Sequence, residues 1–176
     1  SPWTLIDEPG ALNRYPDPQP AMLLSRLAGL YSVPEENLLV TRGSDEGIDL
    51  LTRVFCRAGK DAILQCPPTF GMYKIAAQTQ GAEIISVDRT AGDGFRLDQQ
   101  AVLNTLRDNQ QIRLVFLTSP NNPTGDVIDP DFLRELLQLT REQSIVVLDE
   151  AYAEFSDQPT AISLIDEFEH LVVLRT

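Results

Sequence analysis

The sequence predicts an α/β fold, a mostly parallel sheet with helices on both faces, and three observations carry that expectation. Apolar runs at residues 38–40, 62–66, 82–87, 113–118, 144–148 and 171–174 alternate with segments whose apolar residues recur at helical spacing. The runs are nearly continuous rather than alternating, as expected of strands buried on both sides. Several end abruptly, most sharply at Ser119-Pro120-Asn121-Asn122-Pro123-Thr124-Gly125, where Pro123 donates no hydrogen bond and Asn and Gly accept unusual dihedrals.

Residues 1–20 hold five of the twelve prolines, Pro2, Pro9, Pro16, Pro18 and Pro20, which predicts an irregular N-terminal arm that needs a surface to lie on. Over residues 21–31, Leu23, Leu24, Leu27 and Leu30 fall at helical spacing, so one face of a helix is expected to be buried. Val33-Pro34-Glu35-Glu36 makes a turn, and 38–40 reads as a short strand. Arg42-Gly43-Ser44-Asp45-Glu46 leads into a helix with Ile48, Leu51, Val54 and Phe55 on its face and Ser44 as its N-cap. The strand at 62–66 ends in Pro67-Pro68-Thr69, followed by a helix from Phe70 or Gly71 to Gln80 that Gly81 stops. Beyond the strand at 82–87, Asp98 caps a helix carrying Ala101, Val102, Thr105 and Leu106. The strand at 113–118 runs into the asparagine turn. Asp129-Pro130-Asp131 then supplies an N-cap, a proline at the first helical position and a first-turn acid for a helix through Phe132, Leu136, Leu137 and Thr140. The strand at 144–148 delivers Asp149-Glu150-Ala151-Tyr152 at its carboxyl end, and a short helix over 162–168 precedes the strand at 171–174.

At 176 residues the chain has the length of one domain able to bury a core. It opens on Ser-Pro without a methionine and stops just after an apolar run, so we expect a piece of a longer protein. With 26 acidic against 14 basic residues the formal charge is -12, a field that disfavours nucleic acid and anionic lipid as partners. Cys56 and Cys66 have apolar neighbours and no metal-ligand spacing. They read as buried small hydrophobes in a reducing, cytoplasmic setting. No run approaches the roughly 18 apolar residues of a membrane span.

In an open α/β sheet the ligand-contacting groups sit just outside the carboxyl ends of the strands. Four such places carry unusual groups here: Gly43-Ser44-Asp45, Phe70, Asn122, and Asp149 with Tyr152. Gly-Ser before a helix is either a plain cap or an anion site, since free N–H groups and the helix dipole favour a phosphate. Phe70 is either core packing or a flat surface for a heteroaromatic ring. An acid that ends an apolar strand is costly unless paired, so Asp149 calls for a cationic or N–H partner. A protonated pyridine nitrogen would serve, Asn122 and the Tyr152 hydroxyl suit a ring oxygen, and the Ser44 helix suits a phosphate. Together these describe pyridoxal 5'-phosphate.

On these residues the chain resembles the fold-type I aminotransferases, and within them the histidinol-phosphate aminotransferase family. The likeness runs nearly end to end, on Asn13-Arg14-Tyr15-Pro16, Arg42-Gly43-Ser44-Asp45-Glu46, Pro67-Pro68-Thr69-Phe70-Gly71-Met72-Tyr73, the asparagine turn and Asp149-Glu150-Ala151-Tyr152. Asn-Pro-Thr-Gly marks only the wide superfamily; the tyrosine-proline arm and the Pro-Pro-Thr-aromatic-Gly-Met-Tyr block are narrower. The resemblance implies an N-terminal arm over 1–20 and, over 21–176, the large cofactor-binding domain of such enzymes. That domain would be incomplete, with strand 7 and the small domain missing. Of a sheet ordered 3-2-4-5-6-7-1 the chain would supply the first six strands in sequence, leaving 38–40 without its usual neighbour.

By the same resemblance, Gly43, Ser44 and Asp45 belong to a phosphate cup, Phe70 stacks on the ring, Asn122 and Tyr152 contact the ring oxygen and Asp149 holds the ring nitrogen. Tyr15 would reach the cofactor phosphate of a second subunit in a homodimer. The implied reaction moves an amino group between L-glutamate and imidazole-acetol phosphate in histidine biosynthesis, with no metal. Asp149 would keep the ring protonated as an electron sink. The Schiff-base lysine is expected after the last strand, outside residues 1–176, so the chain alone is expected to be inactive. Two departures stand out. Phe70 replaces a frequent tyrosine, which loses a hydroxyl but keeps the ring face; Lys60 and Lys74 are not at the motif position and read as surface residues. His170 reads as a loop residue. A threonine-phosphate decarboxylase, an aromatic aminotransferase, or a non-catalytic aminotransferase-like domain of a transcription regulator would share the cofactor residues.

Overall fold

The computed structural model describes residue 15 and residues 17–176. They fall into two compact units, one ending at Val40 and one running from Thr41 to Thr176. Asn13, Arg14 and Pro16 of the arm motif, with Pro2 and Pro9, lie outside the described residues.

In the first unit, helix α1 (Ala21–Tyr31) begins after Pro20 and ends at Ser32, whose left-handed backbone turns its N–H back onto the Ala28 carbonyl. The apolar face expected to be buried is not: no α1 residue is buried, and Leu30 is 71% exposed. The described part of this unit contains no second α-helix and no strand for that face to pack on. The strand expected at 38–40 does not form either. A 3-10 turn (Glu35–Asn37) leads into an extended segment, where the Gln19 side-chain amide accepts from the Val40 N–H at 2.9 Å and donates to the Val40 carbonyl at 2.8 Å. A side chain thus satisfies backbone groups that a neighbouring strand would otherwise take. Tyr15 is fully exposed.

The second unit is built on five parallel strands, β1 (Ala62–Gln65), β2 (Glu83–Ser86), β3 (Ile112–Thr118), β4 (Ile145–Asp149) and β5 (Leu171–Leu174), in the order β2-β1-β3-β4-β5. This is the 3-2-4-5-6 portion of the order that the resemblance implies. Helices α2 (Gly43–Phe55) and α3 (Met72–Gln80) bring Ile48, Tyr73, Ala76 and Ala77 into one core with Ile63, Leu114, Phe116 and Val147. Helices α4 (Gln99–Asp108) and α5 (Pro130–Thr140) bring Val102, Leu106, Phe132 and Leu136 into the other, with Leu64, Val115 and Val146. Two cores on opposite faces explain why the β3 and β4 residues are apolar without alternation. Between Ala62 and Ile63 the β1–β3 register slips by one residue, and the extra Arg113 turns its guanidinium outward to the Gln143 carbonyl.

The helix signals act as expected at three ends. Asp98 accepts from the Ala101 N–H and Asp129 from the Phe132 N–H, each at 2.9 Å, and Gly81 stops α3 at φ 77°. The helix expected over 162–168 is instead one 3-10 turn (Ala161–Leu164), started by Thr160 and followed by turns that bury Phe168. Cys56 and Cys66 are free and buried, and burial pushes their thiols up to about 11 and about 12. His170 is buried before β5 with Nε2 at 2.9 Å from the Leu137 carbonyl, a structural position.

Asp61, in the turn before β1, is buried and accepts from the Arg57 backbone N–H at 2.8 Å and from its guanidinium at 2.7 and 2.9 Å. Those bonds hold its carboxyl far below the unfolded value of 3.8. A depressed folded value adds stability above the unfolded one and loses it as pH falls. Asp61→Asn is therefore expected to destabilise the protein at neutral pH by about 1–3 kcal/mol, nearer the lower figure because Arg57 is exposed, and so to lower its melting temperature. The gap between the two melting curves should begin to narrow as pH falls through 3.8 and close only well below it, under the folded value; a gap that does not depend on pH would contradict the assignment.

Candidate active site

The chain order reverses at β1, which is flanked by β2 on one side and β3 on the other, so the carboxyl ends of β1 and β3 frame the natural ligand crevice. A cleft of about 260 Å³ lies there. Gly43, Ser44, Asp45, Phe70, Asn122, Asp149 and Tyr152, all the site residues that the sequence singles out in this unit, line it, with Arg42, Thr118, Ala151 and Thr176 completing the wall. A larger recess of about 420 Å³, at Gly59, Lys60 and Glu83, sits at the amino ends of β1 and β2 and gathers no comparable set.

At the start of α2, Gly43 takes a positive φ of 73°, a conformation that favours glycine. The helix begins two residues earlier than the sequence suggests. Ser44 is therefore not the N-cap; Arg42 is, and no side chain caps the helix there. Instead the Arg42 N–H donates to Glu46 Oε2 at 2.6 Å and Thr41 Oγ1 donates to the Gly43 carbonyl at 2.8 Å. Ser44 Oγ is left buried without a hydrogen-bond partner. An unpaired buried hydroxyl costs about 1–3 kcal/mol, so a protein that keeps one against a cleft has a use for it when the cleft is filled.

The turn after β3 separates its two asparagines. Asn121 is buried: its Nδ2 donates to the Pro68 carbonyl at 3.0 Å and to Thr124 Oγ1 at 2.8 Å, its Oδ1 accepts from Thr69 Oγ1 at 2.8 Å, and its N–H donates to the Asp126 carbonyl. That scaffold holds Asn122 at the cleft. Arg89, fully buried, ties the far end of the turn down by donating to the Cys66 and Phe95 carbonyls and to the Asp126 carboxylate. Phe70, on the loop after β1, is partly buried and meets Tyr73 edge to face, with ring centres 5.8 Å apart.

Asp149 closes β4 and is buried at 3% exposure. With the carboxylate ionised, the Tyr73 hydroxyl donates to Oδ2 at 2.7 Å, and the Ala151 N–H donates to Oδ1 at 3.1 Å. Both partners are neutral, and the charges that act on it, Asp45 and Glu150, have its own sign. Burial first, then those two acids, pushes the Asp149 carboxyl above its ordinary range despite the two donors. Tyr152 follows in the turn, half exposed. Glu150 is structural, held by Thr160, the Ala161 N–H and Arg175.

Tyr73, Thr69, Thr118 and Asn121 are site-forming residues that the sequence reading passes over. Tyr73 has the spacing of an ordinary core residue of α3, and its ring does stack on Phe116 at 4.7 Å. Only its hydroxyl reaches the site, and periodicity carries no signal for that. Among the described residues no group of three or more His, Cys, Asp or Glu could hold a metal ion, and no helix is long and apolar enough to cross a membrane.

An unpartnered buried hydroxyl at a helix start, an aromatic ring, two polar side chains and a buried acid thus meet around one strand-end crevice. The chain belongs to the class I and II aminotransferase family, whose profile matches residues 4–176. Over 165 residues it is 49% identical to the histidinol-phosphate aminotransferase of Cronobacter sakazakii, covering 94% of this chain and 44% of that protein. It is equally similar to the enzyme of that name from Salmonella choleraesuis, again 49% over 94% of this chain and 45% of the relative. The crystal structure of histidinol-phosphate aminotransferase from Sinorhizobium meliloti in complex with pyridoxal 5'-phosphate superposes with a TM-score of 0.82 at 25% identity, over 93% of this chain and 44% of that one. The chain spans less than half the length of these relatives.

Proposed function

We propose that this chain is part of a pyridoxal 5'-phosphate-dependent transaminase that moves an amino group between L-glutamate and imidazole-acetol phosphate in histidine biosynthesis. One observation carries the cofactor reading: the unpartnered buried Ser44 hydroxyl and the buried Asp149 carboxylate, with neutral partners and like charges around it, line the same cleft. The 49% identity to two histidinol-phosphate aminotransferases supports the substrate reading.

The residues fit the group. Ser44 Oγ needs a partner that accepts, which a phosphate provides, and the first N–H groups of α2 at Gly43, Ser44 and Asp45 would join it. Asp149 needs positive charge, which a protonated pyridine nitrogen provides. Asn122 and the Tyr152 hydroxyl would donate to the ring oxygen, and Phe70 would cover a ring face against water. When bound, the cofactor supplies an electron sink for charge developing at the substrate α-carbon. Asp149 is the group of this chain that makes such a sink effective, by holding a proton at the ring nitrogen. We further propose a cytoplasmic homodimer in which Tyr15 reaches the partner's phosphate site; isologous dimers are the commonest assembly.

Titrating the chain with pyridoxal 5'-phosphate and with pyridoxal tests the phosphate assignment. Ser44→Ala is expected to weaken binding of the phosphorylated form about 10-fold or more and to leave pyridoxal binding unchanged, as the loss of one hydrogen bond to a charged group requires. Equal losses for both ligands would place the phosphate elsewhere.

A further inference from the structure

Asp149 stands at one end of a closed chain of hydrogen bonds. Its Oδ2 lies 2.7 Å from the Tyr73 hydroxyl, which lies 2.8 Å from Thr118 Oγ1. Thr118 Oγ1 is 3.2 Å from Thr69 Oγ1, which is 2.8 Å from Asn121 Oδ1. The far end accepts only. Asn121 Nδ2 faces the Pro68 carbonyl at 3.0 Å, and a carbonyl cannot donate, so the amide cannot be flipped and Oδ1 must face Thr69. Four contacts are therefore served by three hydroxyl protons. With Asp149 ionised, both ends accept and one contact has no proton; the Thr69–Thr118 link, the longest, is where the gap falls. With a proton on Oδ2, four protons fill four contacts, all donating in one direction from Asp149 to Asn121. Tyr73, Thr118, Asn121 and Asp149 are buried and Thr69 is partly buried, so within the protein the deficit has no other donor to fill it.

We propose that, with no ligand bound, Asp149 holds a proton on Oδ2, kept there by Tyr73, Thr118 and Thr69 as positioning residues, and that these hydroxyls reverse direction when Asp149 ionises. Of the charged and titratable groups around it, Asp45 from α2 and Glu150 next along the chain, the latter already bonded to Arg175, favour the same state, while a hydrogen bond donated by Tyr73 from α3 opposes it. Arg42, on the cleft wall, has a side chain 91% exposed and bonded to Glu46. Ionisation against a cationic ring nitrogen would be the event that reverses the chain, and that half of the inference rests on the function proposed above.

The chain makes a prediction that simple donation from Tyr73 does not. Thr69→Val removes one proton and two contacts, so the remaining Tyr73 and Thr118 protons then satisfy an ionised Asp149 completely, whereas a protonated Asp149 would leave the Thr118 hydroxyl without an acceptor. Thr118→Val acts likewise. The experiment is a 13C carboxyl titration of the whole 176-residue chain without ligand, with the Asp149 signal assigned by its loss in D149N. In the parent, Asp149 is expected to titrate above the ordinary carboxylate range. Thr69→Val and Thr118→Val should each move it down by about one pH unit, the worth of one hydrogen bond, and Thr69→Ser should leave it in place. A parent Asp149 that titrates in the ordinary range, or any folded valine variant that leaves it unmoved, overturns the proposal. Two substitutions guard against one failing to fold. No ligand is present, so a failure of the cofactor reading would not alter the titration; pyridoxal 5'-phosphate binding by the parent tests that reading separately.

Discussion

Asp149→Asn is expected to make the ligand-free chain more stable at about pH 9, leave it level with the parent at about pH 3, and weaken its hold on pyridoxal 5'-phosphate. The sign follows from burial. Asp149 titrates above its unfolded value of 3.8, so between those two points the native state binds more protons than the unfolded one and stability falls as pH rises. Below 3.8 the acid is neutral in both states and costs nothing extra; above the folded value the penalty is complete and constant. Asparagine carries no charge at any pH. Its Nδ2 can donate to the Tyr73 oxygen while its Oδ1 accepts from Ala151, which fills the hydroxyl chain in the sense that a protonated aspartate would. A gain of about 1–3 kcal/mol at high pH corresponds to roughly 2–4 °C per kcal/mol for a chain of this size. In the transaminase proposed above, the same substitution would remove the group that keeps the ring nitrogen protonated, and kcat should fall about 10²-fold or more. A variant less stable than the parent at pH 9 would show that the buried charge is compensated by a partner other than Tyr73 and Ala151.

That opposition of stability and function also explains what was legible in the sequence. Asp149 could be read because a carboxylate at the end of Ile145-Val146-Val147-Leu148 breaks a local rule, and the break has no compensation within the strand. Asn122, Phe70 and the Gly43-Ser44 pair are legible for the same reason, each being a turn or strand-end residue outside the apolar pattern. The strand order followed from resemblance, while the elements themselves followed from periodicity and caps such as Asp98 and Asp129. Three readings failed where the deciding partner was distant in sequence or absent from the unit. Residues 38–40 have strand composition, but Gln19, 21 residues upstream of Val40, takes the backbone bonds. α1 has a helical apolar face, but the described part of its own unit contains no second α-helix or strand to cover it. Ser44 has the identity of a cap, but the helix starts two residues sooner, at Gly43 with its positive φ. The hydroxyl chain was illegible altogether, since Thr69 and Tyr73 come from one segment, Thr118 and Asn121 from another, and each has an ordinary local reading.

The chain of 176 residues by itself is expected not to transaminate. Its two lysines, Lys60 and Lys74, are the only side-chain amines available for a covalent bond to a carbonyl cofactor. Lys60 sits in the turn before β1, at the amino end of the sheet, and Lys74 is exposed on α3; neither lines the cleft. In the proposed roles Asp149 would tune a ring and Ser44 would hold a phosphate, but neither would take up an α-proton at the reacting carbon. Positioned acid–base groups contribute about 10²–10⁴-fold, and a misplacement of about 1 Å already costs about 10²-fold. A lysine at the opposite end of β1 is displaced by far more than that. With pyridoxal 5'-phosphate, L-glutamate and imidazole-acetol phosphate present, release of 2-oxoglutarate should stay at the level of the free cofactor. The same residues within a protein of the relatives' full length should turn over. Turnover by the isolated chain that survives Lys60→Ala and Lys74→Ala would show that its amino-group chemistry needs no lysine.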